Sequence, residues 1–417
     1  MTYKEALEYL HSFGRLSPSE DLHRIRRLLS GLGDPQNSLK FLHIAGTNGK
    51  GSTAAFCASA LRESGYKTGL FISPYVVCFN ERIQINGEYI PDELFAAIMH
   101  KIKEIIDAAP DTYVEFEIVT AVAMEWFARN GCDIVVLETG IGGRLDATNA
   151  VMTSVVSVIT SISFDHTELL GDTLGKIAYE KAQIIKSGGC AVIYPDQSEE
   201  VLEIIRETVE KKRAKLIIPD LLHLRIKEHH FTYKGNDYII TLRGKHQVLN
   251  AITAIEALDE LSYSGFYNLT REKIAIGLMK ATMPARFETV NRDPEVVLDG
   301  AHNPSGVGSL AKAVRMEFKG KKVTAVVSML RDKNVAETLS ALKGVVSKVV
   351  ATQVENPRRM GAEELKKLLE ELGIKAECEP DPEKAVRAAM QDAETDTILV
   401  CGSLYLVSEV RKLFFTD

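Results

Sequence analysis

Short runs of β-branched and other apolar residues alternate with longer amphipathic stretches along most of the chain. This alternation is typical of parallel strands that are joined by crossover helices. In the first part of the chain the apolar runs predict strands at Leu39–Ala45, Thr68–Ile72, Asp133–Leu137, Val155–Ile162 and Cys190–Tyr194. The helical periodicity predicts helices at Ser52–Glu63, Pro91–Ala108, Glu117–Arg129 and Thr173–Ile185. We therefore expect a central, mostly parallel sheet.

Two further features of the pattern divide the chain. Residues Leu224–Leu242 alternate apolar and polar side chains around the turn Lys234–Asp237, which predicts a small antiparallel patch. The proline-containing segment Met283–Glu288 indicates a boundary, because a new series of strands and helices follows it. The elements of that series are Val296–Leu298, Ser305–Phe318, Lys322–Ser328, Val349–Gln353, Ala362–Glu371, Pro382–Ala393, Thr397–Cys401 and Leu404–Phe414.

Length and composition agree with two α/β domains. At 417 residues, 45% hydrophobic and 26% charged, the chain is too long for one ordinary core and has the composition of a soluble protein. We expect a larger first domain over residues 1–283 and a smaller, Rossmann-like domain over 284–417. The net charge of -7 and the pI near 5.9 argue against nucleic acid or an anionic membrane as the main partner.

The cysteines and the apolar runs predict a cytoplasmic protein. The six cysteines are scattered without a CxxC pair, which is typical of free thiols in a reducing compartment. No run approaches the roughly 20 apolar residues that span a bilayer. The N-terminal residues are amphipathic and lack the apolar stretch of a signal peptide.

A glycine-rich segment follows the first predicted strand and precedes a predicted helix. Its residues are Gly46, Thr47, Asn48, Gly49, Lys50, Gly51 and Ser52. Glycines allow close approach of the backbone to phosphates, a helix N-terminus attracts anions, and a lysine supplies a positive charge. The spacing departs from the common P-loop, because only two residues separate Gly46 from Gly49 and Gly51 occupies the usual Ser/Thr position. We predict an ATP-binding loop; the alternative is a plain glycine turn.

Polar residues follow three neighbouring predicted strands. Glu138 ends one strand, Ser73 follows a second and His166 follows a third. Ligands of open α/β sheets bind at the carboxyl ends of strands, where oxygen ligands can hold Mg²⁺. The alternatives are that Glu138 pairs with a base such as Arg144 and that His166 is an ordinary loop residue.

Candidate ligand contacts also surround the predicted boundary. Arg286 lies in the linker, and the turn Asp299–Pro304 follows the first strand of the second domain. Alternatively, Arg286 is a solvated linker residue and Asn303-Pro304 begins a helix. His246 and Asn250 lie one helical turn apart, which helix capping explains as well as ligand contact.

Ten stretches taken together resemble one family. They are HIAGTNGKGST, ISPYVVCFNERIQING, EFEIVTA, LETGIGGRLDATN, ITSISFDHTELLG, IAYEKAQIIK, HQVLNA, MPARFE, VLDGAHNP and GSLYLVSEVR. In this order they resemble folylpolyglutamate synthase and its bifunctional form that is also a dihydrofolate synthase, within the Mur ligase superfamily. The resemblance implies ATP-dependent addition of L-glutamate to reduced folates through an acyl phosphate, and conversion of dihydropteroate to dihydrofolate.

The resemblance also implies roles for individual residues. The catalytic residues are Lys50, Lys181 and His302, and the ATP contacts beyond the glycine-rich loop are Asn250, Arg286 and Asp299. The ligands of two Mg²⁺ ions are Ser73, Glu138, His166 and a carbamylated Lys181, and the folate contacts are Phe116, Asp146 and Ala147. The alternative for Lys181 is a solvated helix lysine. The expected partners are ATP, L-glutamate and a folate or dihydropteroate, without nucleic acid or membrane, and we expect a monomer.

The chain departs from the family pattern at several positions. Tyr75 stands where many relatives have histidine, Ala285 replaces the glycine of a Pro-Gly-Arg linker, and Gln183 replaces another glycine. The segment Phe13–Glu20 is shorter than the pterin-covering loop of many relatives. The alternative functions are a Mur-type ligase for another carboxylate, a nucleotide-dependent switch ATPase and a dinucleotide-dependent oxidoreductase.

Overall fold

The computed structural model describes residues 1–14, 21–108, 111–331 and 334–415. The chain divides into two compact units, which are Met1–Thr241 with Val248–Ala281 (unit 1) and Leu242–Gln247 with Thr282–Asp417 (unit 2). Most of the segment Phe13–Glu20, for which a shortened loop is predicted, lies outside the described residues. Within the described ranges, no helix has both the length and the apolar character needed to cross a membrane.

A large sheet forms the centre of unit 1. Its strands are β1 (Phe41–Ala45), β2 (Thr68–Phe71), β3 (Ile83–Ile85), β4 (Glu88–Tyr89), β5 (Ile134–Glu138), β6 (Val156–Ile159), β7 (Cys190–Ile193) and β8 (Lys215–Ile217). In the described part of the unit these eight strands lie in the order β4-β3-β2-β5-β1-β6-β7-β8. The pairs from β2 to β8 are parallel, whereas β3 pairs antiparallel with both β2 and β4. The predicted mostly parallel sheet is therefore confirmed.

Helices accompany this sheet along the chain. They are α1 (Tyr3–His11), α2 (His23–Gly31), α3 (Lys50–Glu63), α4 (Asp92–Ala108), α5 (Glu115–Arg129), α6 (Thr167–Leu170), α7 (Leu174–Ala182), α8 (Glu199–Lys211), α9 (Lys245–Tyr263) and α10 (Arg271–Lys280). Strands β1 and β5 are buried along their whole length, which explains why they consist almost entirely of apolar residues. One apolar cluster includes Phe41 and Phe127, and a second includes Ala45 and Ile177.

The predicted antiparallel patch is also present. Strands β9 (Arg225–Lys227), β10 (His230–Tyr233) and β11 (Asn236–Ile239) form a three-stranded sheet among the described residues. Tyr233 pairs with Asn236, so the hairpin turn consists of Lys234 and Gly235. Both turn residues have positive φ angles, of 48° and 74°, as a two-residue hairpin turn of the type I′ class requires.

Unit 2 is a second, smaller α/β structure. Its strands are β12 (Glu288–Arg292), β13 (Glu295–Leu298), β14 (Val323–Val327), β15 (Lys348–Ala351), β16 (Ala376–Cys378) and β17 (Thr397–Cys401). The described residues form one sheet in the order β12-β13-β17-β14-β15-β16, in which only the β12–β13 pair is antiparallel. The helices are α11 (Pro304–Glu317), α12 (Val335–Ser340), α13 (Ala362–Glu371), α14 (Pro382–Gln391) and α15 (Leu404–Arg411).

The sheet order brings the predicted ligands of unit 1 to one edge. Strands β2, β5, β1 and β6 are consecutive neighbours and run parallel. Their carboxyl ends therefore lie side by side, although long stretches of sequence separate them. The segments that leave this edge contain Ser73, Glu138, the Gly46–Ser52 loop and His166.

Candidate active site

At two positions of the Gly46–Ser52 loop there is no room for a side chain. Gly46 has a φ of 155°, and a Cβ atom there would lie 1.8 Å from Thr160 Oγ1. Gly49 has a φ of 88°, and its Cβ atom would lie 2.4 Å from Asn250 Oδ1. Gly49 is also the N-cap of α3, and no side chain caps that helix by a hydrogen bond. The loop therefore brings backbone close to Thr160 and Asn250 and leaves the start of α3 without a side-chain cap, as in helix starts that bind anions.

Hydrogen bonds join the loop to the segment that follows β6. The Thr47 amide donates to Ser161 O at 2.8 Å, and the Thr47 hydroxyl donates to Ser163 O at 3.0 Å. The Asn48 side chain donates to Ser163 Oγ at 3.3 Å. These contacts fix the loop against its neighbouring strand, so its backbone groups are held before any ligand arrives.

Lys50, Glu138 and Ser73 lie together at the same edge. Lys50 Nζ donates to Gly46 O at 3.2 Å and lies 3.9 Å from Glu138 Oε1. The Ser73 amide donates to Glu138 Oε2 at 3.3 Å, and Glu138 is only 3% exposed. Glu138 therefore does pair with a base, but the base is Lys50 and not Arg144, whose Nε donates to Glu180 Oε1 at 2.9 Å. A buried carboxylate thus faces the lysine of the predicted phosphate loop.

Lys181 is buried beside the same loop. Its side chain lies on α7 and donates from Nζ to Gly46 O at 2.8 Å, so one carbonyl accepts from both Lys50 and Lys181. Burial, together with the positive charge of Lys50, lowers the pKa of Lys181 to about 7, while Asp165 and Asp146 partly oppose that shift. The alternative of a solvated helix lysine is therefore wrong. Near neutral pH a large share of Lys181 is an uncharged amine, which is the nucleophilic form.

His166 occupies the start of α6. It adopts a φ of 50° as the N-cap residue, and its side chain is 39% exposed. Its Nε2 atom lies 3.9 Å from Asp165 Oδ1. Asp165 was not among the predicted site residues, although its position next to His166 in Phe164-Asp165-His166 was available as a signal.

The residues at this edge fit Mg²⁺ bound together with a nucleotide. Among the described residues, no group of three or more His, Cys, Asp or Glu side chains is arranged to hold a metal by itself. Mg²⁺ is commonly held by one or two carboxylates together with substrate phosphates, rather than by a protein cage. The single buried carboxylate of Glu138, beside Lys50 and Ser73, corresponds to that arrangement.

Phe116, Asp146 and Ala147 surround the segment that follows β5. A Cβ atom on Gly140 would lie 2.8 Å from Phe116 Cζ, so the glycine allows the ring to pack on the backbone. The Gly140 amide donates to Asp146 Oδ2 at 2.8 Å. Ala147, which is 5% exposed, begins the short 3₁₀ helix that Asp146 caps. Asp146 and Ala147 therefore lie on the loop that follows Glu138, and Phe116 of α5 packs against that loop.

Unit 2 holds its predicted residues around the end of β13. Asp299 Oδ1 accepts from the Ala301 amide at 2.8 Å, and Asp299 Oδ2 accepts from the Phe287 amide at 2.9 Å. Burial raises the pKa of Asp299, and the positive charge of Arg286 opposes the shift. His302 Nδ1 lies 2.8 Å from Gly300 O, and because a carbonyl only accepts, that nitrogen carries the proton.

The neighbouring segments of unit 2 explain two sequence features. Asn303 caps α11 by accepting from the Gly306 amide at 2.7 Å, with Pro304 as the first helical residue, so the helix-start alternative for Asn303-Pro304 is confirmed. Ala285 has a φ of 59°, a conformation that glycine adopts without steric cost. That explains why glycine suits this linker position. Burial and Arg286 lower the pKa of His246 to about 4.

The structure adds Thr160 to the predicted residues of the phosphate loop. It is fully buried at the end of β6, and its hydroxyl donates to Ala45 O at 3.3 Å. This hydroxyl is the group that a side chain at position 46 would strike. A threonine at a strand end carries no distinctive sequence signal, so only the sheet order reveals its proximity.

Two families match the chain. The Mur ligase middle domain matches residues 44–258, and the glutamate ligase domain of Mur ligases matches residues 285–404. Together with the phosphate loop and the two α/β units, these matches define the class of the protein as a Mur ligase.

Full-length relatives make the assignment narrower. The dihydrofolate synthase/folylpolyglutamate synthase of Bacillus subtilis is 35% identical over 98% of this chain and 98% of its own. The folylpolyglutamate synthase of Lacticaseibacillus casei is also 35% identical, over 99% of this chain and 98% of its own. Among solved structures, FolC of Escherichia coli in complex with DHPP and ADP has a TM-score of 0.88 at 32% identity, covering 99% of this chain and 97% of that one. The chain belongs to the dihydrofolate synthase/folylpolyglutamate synthase family.

Proposed function

We propose that this protein is an ATP-dependent ligase that adds L-glutamate to reduced folates and also converts dihydropteroate to dihydrofolate. The observation that carries the proposal is the adjacency of two loops on neighbouring strands. The phosphate loop follows β1, and the Gly140–Ala147 loop follows β5, which ends at Glu138. Phe116 of α5 packs on Gly140 of the second loop. FolC of Escherichia coli, whose fold covers this chain almost completely, was solved with DHPP and ADP bound.

ATP binds through the Gly46–Ser52 loop in this proposal. The uncapped start of α3 and the ammonium group of Lys50 attract the phosphates, and Asn250 lies against Gly49 where it can contact the nucleotide. We also assign nucleotide contacts to Arg286 and Asp299, as the family resemblance implies. The arginine supplies positive charge, and the carboxylate, held by two backbone amides, accepts hydrogen bonds from hydroxyl groups.

Ser73, Glu138 and His166 would hold Mg²⁺ with the nucleotide, and carbamylated Lys181 would hold a second ion. When bound, Mg²⁺ would neutralise the negative charge that develops on the phosphate during transfer. The buried, uncharged amine of Lys181 attacks CO₂, forms a C–N bond and releases its proton to solvent. The product is an anionic carbamate in place of the ammonium group, so the nucleotide site gains an oxygen ligand where the amine had none.

The reaction proceeds in two steps. The folate or dihydropteroate carboxylate attacks the γ-phosphate of ATP, forming an acyl phosphate and releasing ADP. The amine of glutamate then attacks the acyl carbon, and phosphate leaves as the amide forms. Phe116 and Ala147 line the folate site beside Gly140, and His302 acts near the attacking glutamate. The chain's contribution is orientation and charge stabilisation.

Three remaining assignments accompany this function. We assign residues 1–283 to an ATP-binding domain and residues 284–417 to a glutamate-ligase domain. The two family matches, which end at 258 and begin at 285, support that division. All six cysteines are free thiols, which supports a cytoplasmic location. We further propose that the protein is active as a monomer.

One assay tests the proposal. Purified protein is supplied with ATP, Mg²⁺ and L-glutamate, with either tetrahydrofolate or dihydropteroate, and both phosphate release and the glutamylated product are measured. We expect product only when all components are present. Hydrolysis of ATP that is indifferent to glutamate and folate would favour a switch ATPase. If turnover depends on glutamate but neither tetrahydrofolate nor dihydropteroate stimulates it, folate is rejected as the substrate, although the protein can still be a ligase.

A further inference from the structure

A buried histidine lies beneath the candidate site and has no role in the function proposed above. His43 is the middle residue of β1, a strand whose other members are all apolar, and it is fully buried. A polar ring in a dry interior is unfavourable unless its nitrogens are hydrogen-bonded. Its Nε2 atom lies 2.8 Å from Thr148 Oγ1, whereas its Nδ1 atom has no hydrogen-bond partner in the part of the chain that the structure describes. Among the described residues, the side-chain hydrogen bond of His43 is therefore made to the loop that carries Asp146 and Ala147.

The contact continues from Thr148 to Asp146. Thr148 Oγ1 donates to Asp146 Oδ1 at 2.5 Å, and the Thr148 amide donates to the same oxygen at 3.0 Å. The other oxygen, Asp146 Oδ2, accepts from the Gly140 amide at 2.8 Å and from the Ile141 amide at 3.0 Å. A carboxylate has about four acceptor positions. All four of these partners are donors from the protein itself, so the carboxylate is used to hold the loop.

This arrangement determines the tautomer of His43. A hydroxyl group has only one hydrogen to donate, and Thr148 gives it to Asp146. Thr148 Oγ1 must therefore accept from His43, which places the ring hydrogen of His43 on Nε2. The ring is neutral, because burial lowers its pKa well below the ordinary value and the charge of Lys186 lowers it further. Each donor in this chain of hydrogen bonds therefore points the same way, from His43 of β1 to Thr148 and from Thr148 to Asp146.

We propose that His43 is a positioning residue: by donating to Thr148 it orients the Thr148 hydroxyl toward Asp146, which then holds the Gly140–Ile141 turn in place. That turn separates the proposed Mg²⁺ ligand Glu138 from the proposed folate contact Ala147, and Phe116 packs on Gly140. The inference rests on the proposed function, because the acyl carbon must meet both the phosphate and the folate loop. Asp146 shapes the folate site through this loop, because both of its carboxylate oxygens accept from protein donors.

Four variants separate positioning from general stability. His43→Leu and Thr148→Val remove the link, whereas His43→Gln keeps a donor near the position of Nε2 and Thr148→Ser keeps the hydroxyl. We expect the first two to raise the folate KM by about tenfold and to leave the KM of ATP within about twofold, as for the loss of an outer partner that orients a ligand. The two conservative variants should recover most of that loss.

A matched control removes a buried hydroxyl elsewhere in unit 1. Thr208 lies on α8, is 5% exposed and donates to Ile204 O at 2.9 Å. Thr208→Val should lower the melting temperature as Thr148→Val does, without changing the folate KM. Equal effects of the two variants on the folate KM, or equal effects of His43→Leu on the ATP and folate KM values, would overturn the proposal. If His43→Leu does not fold, the Thr148→Val and Thr148→Ser pair gives the same comparison.

A spectroscopic measurement tests the tautomer independently of activity. In protein labelled with ¹⁵N-histidine, the ring signals that disappear in His43→Gln should show a neutral ring with hydrogen on Nε2, unchanged between pH 6 and pH 8. A ring with hydrogen on Nδ1, or one that becomes charged in that range, would overturn the proposal. Absence of glutamate ligation by the wild-type protein, with the expected tautomer present, would instead reject the proposed function and leave the hydrogen-bond chain standing.

Discussion

The loops that follow β1 and β13 both lead from a strand into a long helix, but they carry opposite charges. Each connects the carboxyl end of a parallel strand to a helix of 14 residues. The first loop ends at Gly49, which leaves α3 without a side-chain cap, whereas Asn303 caps α11. A helix start that its own side chains do not cap can bind an anion, and a capped one has already satisfied part of its amide groups. The caps therefore favour the first loop over the second as the proposed phosphate site.

The charges of the two loops differ in the same sense. The first loop has Lys50 and Lys181 on the carbonyl of Gly46, and the second has Asp299 held by two backbone amides. One site collects positive charge, and the other presents a fixed carboxylate beside His302. In the proposed reaction the first loop would serve the phosphates and the second would serve glutamate. The predictions below test this difference in order of decreasing effect.

The largest effect is expected for Lys50→Ala. Removal of its ammonium group takes away the positive charge nearest the proposed phosphates, and losing one such stabilising group costs about 10²–10³-fold in kcat. Steady-state kinetics and thermal unfolding should show that activity falls while the fold remains. Lys211→Ala, in an exposed i,i+4 ion pair of α8, is the control and should retain activity. Retained activity in Lys50→Ala would remove the loop from the mechanism.

The next largest effect is expected for Gly49→Ala, because this substitution combines backbone strain with a steric clash. An alanine at positive φ costs about 1–2 kcal/mol, and its Cβ atom would also meet Asn250 Oδ1 at 2.4 Å. We expect ATP affinity to fall by roughly tenfold or more, measured by calorimetric titration. Gly344→Ala is the matched control, since Gly344 has a φ of 67° but nothing within 4 Å of its Cβ position. The control should lose stability only; equal loss of ATP affinity would contradict the role of the Gly49–Asn250 contact.

The buried amine of Lys181 should make stability depend on pH. In the unfolded chain the lysine keeps its proton up to a pKa near 10.5, but in the folded protein it releases the proton near pH 7. Lys181 therefore does not lower the free energy of unfolding above pH 10.5, where the lysine is uncharged in both states. As the pH falls from 10.5 toward 7, only the unfolded chain binds the proton, and the free energy of unfolding decreases. The slope over that interval is at most about 1.4 kcal/mol per pH unit.

Lys181→Met isolates this contribution. In bicarbonate-free buffer, urea unfolding should show that the variant gains stability over the wild type between pH 9 and pH 7, while turnover is lost. Lys176→Met, on the same helix with a side chain 63% exposed, should show no such pH-dependent gain. If the difference in free energy of unfolding between Lys181→Met and the wild type did not change with pH, the pKa of Lys181 would not be lowered. Carbamylation itself is detected as a ¹³C carbonyl signal after addition of labelled bicarbonate.

The sequence predicts the central elements of both units for a physical reason. Strands such as β5 and β17 are buried on both faces, so their apolar runs stand out, and the predicted ends differ from the observed ones by at most three residues. Strands β3, β4, β8, β12 and β16 were missed, and all of them except β3 lie at an edge of their sheet. Both residues of β4 are exposed, and β16 has no fully buried residue, so neither carries a hydrophobic pattern.

The candidate site is predictable only where a motif carries it. The glycines and Lys50 have a recognisable order, and the resemblance supplies Lys181. The burial of Lys181 depends on how α7 packs, which no local pattern encodes. His43 looks like an ordinary polar interruption of a strand, because its partner Thr148 lies 105 residues away in the chain. Such pairs follow from sheet order, which local sequence does not determine.

His302→Ala tests whether the second loop serves glutamate and not phosphate. The His302 ring is oriented by Gly300 O, which leaves Nε2 as the acceptor in a neutral ring. We expect the glutamate KM to rise by about tenfold, with the KM of ATP unchanged, since one oriented polar contact is worth about 1.4 kcal/mol. An increase in the ATP KM of similar size would assign His302 to the nucleotide and weaken the contrast between the loops.

The smallest effect is expected for Asn303→Ala, which removes the cap that distinguishes α11 from α3. Loss of an N-cap side chain costs about 1 kcal/mol, and here the lost acceptor serves the Gly306 amide. Urea unfolding should show this loss, while Asn303→Asp, which keeps an acceptor, should stay near the wild type. If the cap is purely structural, kcat and all three KM values remain within about twofold. A loss of activity larger than the loss of stability explains would mean that Asn303 itself contacts a substrate, and the two helix starts would then be less different than their caps indicate.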